Sequence, residues 1–235
     1  MRTLAVIPAR GGSKRLPGKN MRDFLGKPLI GWTLEFALKL EESFDRIVVS
    51  TDCKETANYV SGAWNSAKID SRPSHLATDT AATVDVALDL LEREAYYDRV
   101  YDAVAILQPT SPLRAVARWK SAFKILDDNL FEAVIGVANV SQHPFHVFKF
   151  NQGGGLVPWY DKAALALRSQ ELPSAVYVTG SLYLIKTDAL IRNRSFFPDK
   201  IAGSAAKHDW EAIDIDTQED WTRAEALVRK ALRGT

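Results

Sequence analysis

The densest chemistry in the chain lies near its start. Residues 9–20, ARGGSKRLPGKN, place Arg10, Lys14, Arg15 and Lys19 on one short stretch together with Gly11, Gly12, Ser13 and Asn20. Glycines open backbone angles closed to other residues and let main-chain N–H groups approach an anion, while the cations supply an attractive field, so the combination suits phosphates. Neither common phosphate motif fits. A Walker A loop has four residues before its Gly-Lys pair, but five separate Gly12 from Gly18, and Asn20 stands where the magnesium-binding Ser or Thr belongs. A Rossmann fingerprint fails at Ser13, which replaces its second glycine.

Near the other end, Ile213-Asp214-Ile215-Asp216 reads as a short strand with both carboxylates on one face. Two adjacent anions repel unless something positive lies between them. A metal ion could serve, as could a lysine or arginine, and Asp216 could instead cap the final helix. His143 and His146 stand three apart, but Pro144 bars a helix between them and no acidic partner is near, so they are not read as a zinc pair. Cys53 is the only cysteine, which excludes an internal disulfide and a cysteine-rich zinc site, and it is assigned no role.

The elements that must position these groups follow from periodicity. Leu4 to Ile7 make a buried strand ended by Pro8, which has no N–H to donate. Pro28 is expected to open a helix with Ile30, Leu34, Ala37 and Leu38 on one face. RIVVS at 46–50 gives a second strand, with Thr51-Asp52 beyond it in a ligand-loop position, and a helix to about residue 63 follows. After the polar run RPSHLATDTAAT (72–83) comes a helix with Val84, Leu88, Leu91 and Ala95 on one face, capped by Asp79 or Thr80. Residues 101–108 form another buried strand. It leads into Pro109-Thr110-Ser111-Pro112, whose two prolines hold hydroxyls and amide at a strand end with little ordering entropy to lose. A helix carrying Val116, Trp119, Phe123 and Leu126 follows, then a strand at 132–139. Residues 175–186 read as a strand interrupted at Gly180, and a last helix buries Trp221, Ala224 and Val228. Alternating strands and helices build a parallel sheet with helices on both faces, in the α/β class. Residues 141–173 break the alternation and have no place in such a sheet.

With 235 residues and 46% hydrophobic composition, the chain suits one domain, 1–235, with 141–173 as an excursion. The 30 lysines and arginines nearly cancel 29 acidic residues, so no global field is available for nucleic acid or a membrane surface. Apolar runs are strand-sized and no secretory signal is evident, so a cytoplasmic protein is expected.

IPARGGSKRLPGKN resembles the nucleotide-binding signature of acylneuraminate cytidylyltransferases, which activate sialic-acid-like sugars as CMP conjugates. Four further stretches are similar in the same order: RPSHLATDTA, LQPTSPLR, the Arg168-x-Gln170-x-Leu172-Pro173 run and the DID of residues 214–216. The resemblance implies a three-layer α/β nucleotide-diphospho-sugar transferase-like fold with a mixed, mostly parallel sheet and a small dimerisation excursion. It implies CMP transfer from CTP to the anomeric hydroxyl of a nonulosonic acid, with release of pyrophosphate. Arg10 and Lys19 would stabilise the phosphoryl oxygens, and Gly11, Gly12, Ser13 and Asn20 would hold phosphate or ribose. Arg72 and Thr83 would contact cytidine, and Gln108, Thr110 and Ser111 would contact sugar and nucleotide. Arg168, Tyr183, Phe196 and Phe197 would line the sugar site, with Asp214 and Asp216 holding Mg2+ or Mn2+. A homodimer exchanging 141–173 is implied, with Phe145 and Trp159 as anchors. Where the family has Asn-Gly this chain has Thr179-Gly180. Other readings are a cytidylyltransferase for the eight-carbon acid 3-deoxy-manno-octulosonate, which shares only the loop, and a non-catalytic nucleotide-sugar-binding protein.

Overall fold

A computed structural model describes residues 1–160 and 162–233. The elements run β1 (Thr3–Pro8), α1 (Leu29–Leu38), β2 (Arg46–Thr51), α2 (Lys54–Ala63), β3 (Ala67–Ser71), α3 (Thr83–Tyr96), β4 (Ala103–Ile106), α4 (Val116–Asp127), β5 (Ala133–Asn139), β6 (Phe148–Phe150), β7 (Leu156–Pro158), β8 (Val176–Lys186), α5 (Thr187–Asn193), β9 (Ile201–Ala205) and α6 (Gln218–Arg233). Seven strands form one sheet in the order β3-β2-β1-β4-β8-β5-β9. All neighbours are parallel except β8, which runs antiparallel to both β4 and β5, so the sheet is mixed and mostly parallel as expected.

Period-two geometry explains why both faces are covered. Ala5 and Ile7 of β1 join a core with Leu34, Val49, Trp119 and Leu126 under α1, α2 and α4. Leu4 and Val6 point the other way, into Leu90, Leu91, Val104 and Leu190 under α3 and α5. Trp119 is fully buried among Phe36, Phe44 and Phe123, which confirms the α4 aromatics as core. A third cluster joins the two ends of the chain: Leu16 and Phe24 pack on Ile213, Ile215, Trp221, Ala224 and Val228.

Several expectations are corrected. Pro28 is the residue before α1, with extended ψ of 142°, rather than its first helical residue. α3 begins after Ala82 with no side-chain cap, because Asp79 and Thr80 are engaged elsewhere, and its buried face is Val86, Ala87, Leu90, Leu91 and Glu94 while Ala95 is exposed. β8 continues through Gly180 instead of breaking there. The irregularity falls in its pairing with β5, where register shifts between Ile135 and Val137. Residues 213–216 alternate as anticipated, both isoleucines buried, but they join no sheet ladder. Their one anchoring main-chain bond runs from Ile215 N to the Thr110 carbonyl, 2.9 Å. Asp216 does not cap α6; Thr217 and Asp220 do so reciprocally, in a capping box. The excursion stands outside the main sheet, with β6 and β7 paired in a small hairpin of their own.

Candidate active site

Parallel strands β1, β2 and β4 all end on one edge of the sheet, and a cleft of about 500 Å3 opens there. It is lined by Arg10, Gly12, Ser13, Lys14, Arg15, Lys19 and Asn20 from the loop after β1, by Arg72 and Asp79 from the segment before α3 and Thr83 at its first residue, by Gln108 and Thr110 after β4, and by Asp214 and Asp216. Residues separated by up to two hundred positions thus meet at the strand ends, where α/β sheets place ligands.

The loop after β1 is held by a few local bonds. Asn20 donates Nδ2 to the Arg10 carbonyl at 3.0 Å, closing the loop, and Gly11 N donates to Asp52 Oδ1 at 2.8 Å. Gly11 and Gly12 do not adopt left-handed angles. The loop glycine that does is Gly18, with φ of +66°, where a β-carbon would be strained. Gly11 lies outside the cleft lining, and Gly12 has open space where a side chain would stand.

Each loop cation is directed by a carboxylate. Asp79 receives Arg10 at 2.7 Å and Lys14 at 2.7 Å; Lys14 first, then Arg10, holds its carboxyl below the ordinary aspartate range. Asp216 receives Lys19 at 2.9 Å and Arg15 at 2.8 Å, and Lys19 also donates to the Ile215 carbonyl at 2.8 Å. The expectation of a positive partner is therefore met at Asp216 by cations of the loop itself, whereas among the described residues no ion pair is formed by Asp214. Arg72 is buried and bonded to Ser50 O at 2.8 Å and Ser50 Oγ at 3.2 Å; desolvation lowers its pKa, with Asp52 and Asp70 opposing.

The loop Gln108–Arg114 is shaped from below. Arg114 is wholly enclosed, donates to the Gln108 carbonyl and to Thr33 Oγ1, and lies 5.4 Å from the Phe36 ring centre. Burial pushes its guanidinium down to about 9. Thr110 lines the cleft, whereas Ser111 is buried behind it, 1% exposed. A β-carbon at Gly180 would meet Gln108 Oε1 at 2.6 Å and Ser111 Oγ at 2.7 Å, so any larger residue would have to displace these two side chains.

Among the residues expected at a sugar, Gln108 lines the cleft, and Tyr183 packs on Phe196 and Phe197 with ring centres 5.5 and 6.4 Å apart. Burial raises the Tyr183 phenol above its ordinary value, and the charge of Asp214 adds to the shift. Arg168 lies exposed in the excursion and does not line the cleft. Thr179 is 3% exposed, its hydroxyl 2.8 Å from Ser181 Oγ, which accepts from Arg118. It faces a buried network rather than the cleft. Sequence reasoning gave Asp79 the wrong partners and did not single out Arg118 or Glu211, a buried pair at 3.2 Å below residues 213–216. The signal available for Asp79 was its place in the RPSHLATDTA stretch.

Comparison with solved structures identifies the class. The fold matches CMP:2-keto-3-deoxy-manno-octonic acid synthetase complexed with CTP, at TM-score 0.68 and 21% identity, over 98% of this chain and 100% of that one. It also matches 4-diphosphocytidyl-2C-methyl-D-erythritolsynthase from Anaerococcus prevotii, at TM-score 0.66 and 13% identity, covering 97% and 98% of the two chains. The mixed, mostly parallel α/β fold is thus shared with both of these structures. Residues 4–151 match the family model described as Cytidylyltransferase, and the chain belongs to that family. Among its relatives, CMP-N,N'-diacetyllegionaminic acid synthase of Legionella pneumophila subsp. pneumophila is 37% identical over 229 residues, 97% of each chain. Pseudaminic acid cytidylyltransferase of Campylobacter jejuni subsp. jejuni is 30% identical over 232 residues, again 97% of each.

The close approach at Gly180 generates a prediction. Gly180→Ala should shift Gln108 and Ser111 and lower cytidylyl transfer by roughly tenfold or more, as small displacements in a positioned site do. The thermal midpoint should fall little. Turnover and thermal unfolding measured on the same preparation test this, and unchanged turnover would show that the approach of β8 to the loop does not matter.

Proposed function

We propose that this protein transfers CMP from CTP to the anomeric hydroxyl of a nonulosonic acid, the nine-carbon sialic-acid type of sugar acid, releasing pyrophosphate. One observation carries the reading most: four loop cations, a buried arginine and three carboxylates converge on the cleft at the strand ends, and relatives matched over 97% of both chains are CMP-legionaminic and pseudaminic acid enzymes. We place the reaction in the cytoplasm; among the described residues no helix is long and apolar enough to cross a membrane.

The sugar hydroxyl oxygen forms a bond to the α-phosphorus of CTP while the bond from that phosphorus to the bridging oxygen breaks, and pyrophosphate leaves. Little covalent chemistry falls to the protein, so its work is alignment and charge stabilisation. Arg10 and Lys19 would stabilise the phosphoryl oxygens and the leaving group, with Ser13, Asn20 and the backbone at Gly11 and Gly12 cradling phosphate or ribose. Arg72 and Thr83 would fix the cytidine. Gln108, Thr110, Ser111, Tyr183, Phe196 and Phe197 would shape the sugar side. Among the described residues lining the cleft the carboxylates are Asp79, Asp214 and Asp216, and no side chain stands out as a general base.

Asp214 and Asp216 fit a magnesium ion, with manganese as a substitute. Both are hard oxygen donors opening on the cleft, and among the described residues no cluster of three or more His, Cys, Asp or Glu could hold a metal. That donor set suits an ion held by one or two carboxylates and completed by substrate phosphates. When bound, magnesium would offset phosphoryl charge and lower the pKa of the attacking hydroxyl.

We also propose a homodimer through residues 141–173. Phe150, Leu156 and Trp159 are 77%, 63% and 58% exposed on the excursion, an apolar display that a second copy would cover. Arg168 would act in the dimer, since it lies away from the cleft of its own chain.

Three measurements test these readings. Pyrophosphate release from CTP with a panel of nonulosonic acids should show turnover with at least one and little with the eight-carbon acid; in that assay Arg10→Ala and Lys19→Ala should each lose at least about tenfold, or about 1.4 kcal/mol of transition-state stabilisation. Turnover only with the eight-carbon acid would replace the substrate assignment. EDTA should abolish turnover and added magnesium or manganese restore it, while Asp214→Asn and Asp216→Asn should lose activity far more than stability; full turnover in metal-free buffer removes the ion. Sedimentation should find a dimer at micromolar concentration, and a fully active monomer would remove that proposal.

A further inference from the structure

Two carboxylates hold the four loop cations, and they are not alike. Asp216 belongs to the segment packed by Ile213 and Ile215 into a buried cluster, so its position is fixed. Asp79 is held by no such packing. It lies in the irregular run between the single turn at Ser74–Leu76 and the start of α3, its side chain is 36% exposed, and its partners Arg10 and Lys14 are themselves 32% and 82% exposed. The neighbouring Thr78 and Thr80 hydroxyls bond to each other, 3.3 Å, rather than to the aspartate. Asp79 is thus a part-exposed anion in an irregular segment, paired with Arg10 and Lys14 of the loop.

Arg10 and Lys14 cannot bind this carboxylate and a polyphosphate fully at once. Their donors are finite, and a phosphate oxygen brought beside Asp79 would be repelled by its charge. The pairs are exposed and solvent-screened, so each is weak and can be displaced by a more highly charged anion.

We infer that Asp79 is an internal competitor for the phosphate loop. It occupies Arg10 and Lys14 when the cleft is free, swings out when a triphosphate enters, and returns to these cations as pyrophosphate leaves. This assigns it a role in product release, resting on the reading of the cleft as a CTP site. The same contact keeps stray inorganic anions from the loop, because an incoming ion must first displace the carboxylate.

The test is calorimetric binding of inorganic pyrophosphate to the full chain, without sugar, beside steady-state inhibition by pyrophosphate. Asp79→Asn should bind pyrophosphate about fivefold more tightly, the scale expected from removing two exposed ion pairs. Inhibition by pyrophosphate should strengthen to match, KM for CTP should fall, and kcat should fall as release slows. Asp79→Glu, which keeps the charge, should resemble the wild type. Unchanged or weaker pyrophosphate binding in Asp79→Asn would overturn the inference and make Asp79 a residue that orients Arg10. Failure of the wild type to bind pyrophosphate or CTP at all would instead overturn the triphosphate reading of the cleft, and this inference with it.

Discussion

Lys19 reaches across almost the whole chain to the Ile215 carbonyl and the Asp216 carboxylate, and the site depends on that contact. Its side chain is only 11% exposed, so the ammonium has lost most of its hydration and must recover it from fixed oxygens. Removing one partner of such a pair would strand the other, which makes the contact a constraint on geometry more than a source of net stability. Apolar packing supplies the stability beside it. Leu16 from the loop and Ile213, Ile215 and Trp221 from the C-terminal segment share one buried cluster, so loop and carboxylates are set against each other before any ligand arrives. Preorganised charge of this kind needs no rearrangement at the moment of reaction.

Two further buried arginines extend the same logic beneath the cleft. Arg114 has no carboxylate partner; the Gln108 carbonyl, the Thr33 hydroxyl and the face of Phe36 surround it, and the proline-bounded loop folds around the cation. Although burial depresses its pKa to about 9, the guanidinium stays charged at neutral pH, so its field persists under the strand end. Arg118 instead meets Glu211, which is 1% exposed and also accepts from the Lys207 main-chain N–H at 3.0 Å. Arg118 adds bonds to Ser181 and Ser204, tying α4, β8 and β9 to the turn that precedes Asp214. The Gln108–Arg114 loop and the aspartate segment are then joined directly, through Ile215 N and the Thr110 carbonyl.

What was legible in the sequence divides along physical lines. β1, β2 and β4 are buried on both faces and show as unbroken apolar runs, and α4 shows its period because Trp119 and Leu126 point into one core. β3, AKIDS, escaped because an edge strand with Lys68 and Asp70 carries little apolar signal, and β9, IAGSA, because its side chains are small. α5 is only seven residues long. The alternation of 213–216 was real but does not distinguish a strand from an extended segment anchored by one hydrogen bond. Asp79 was given a local capping role because local pattern reading finds near neighbours, whereas its partners lie more than sixty positions away. Family motifs located the cleft-lining residues well, since each stretch ends a strand or opens a helix at the same sheet edge; Arg168 belongs to the excursion and stays apart.

The Thr179 position shows how a departure from a motif can be absorbed without leaving a mark on the cleft. Its hydroxyl is satisfied by Ser181, and the chain accommodates it opposite Gly136, where a β-carbon would meet Thr179 Oγ1 at 2.8 Å. A buried hydroxyl that is bonded inward has strong reason to stay, since turning it away would cost the bond to Ser181. Discrimination among sugar acids, under the proposed reading, therefore falls to the aromatic group of Tyr183, Phe196 and Phe197, of which Phe197 is 51% exposed. An aromatic wall left this open discriminates weakly by itself, because an apolar surface gains only modest energy per added methylene and rejects little until water is excluded. Under the proposed reading, specificity would be completed by whatever closes that wall, and in the proposed dimer the exposed apolar residues Phe150, Leu156 and Trp159 of a second copy would have the chemistry to do so.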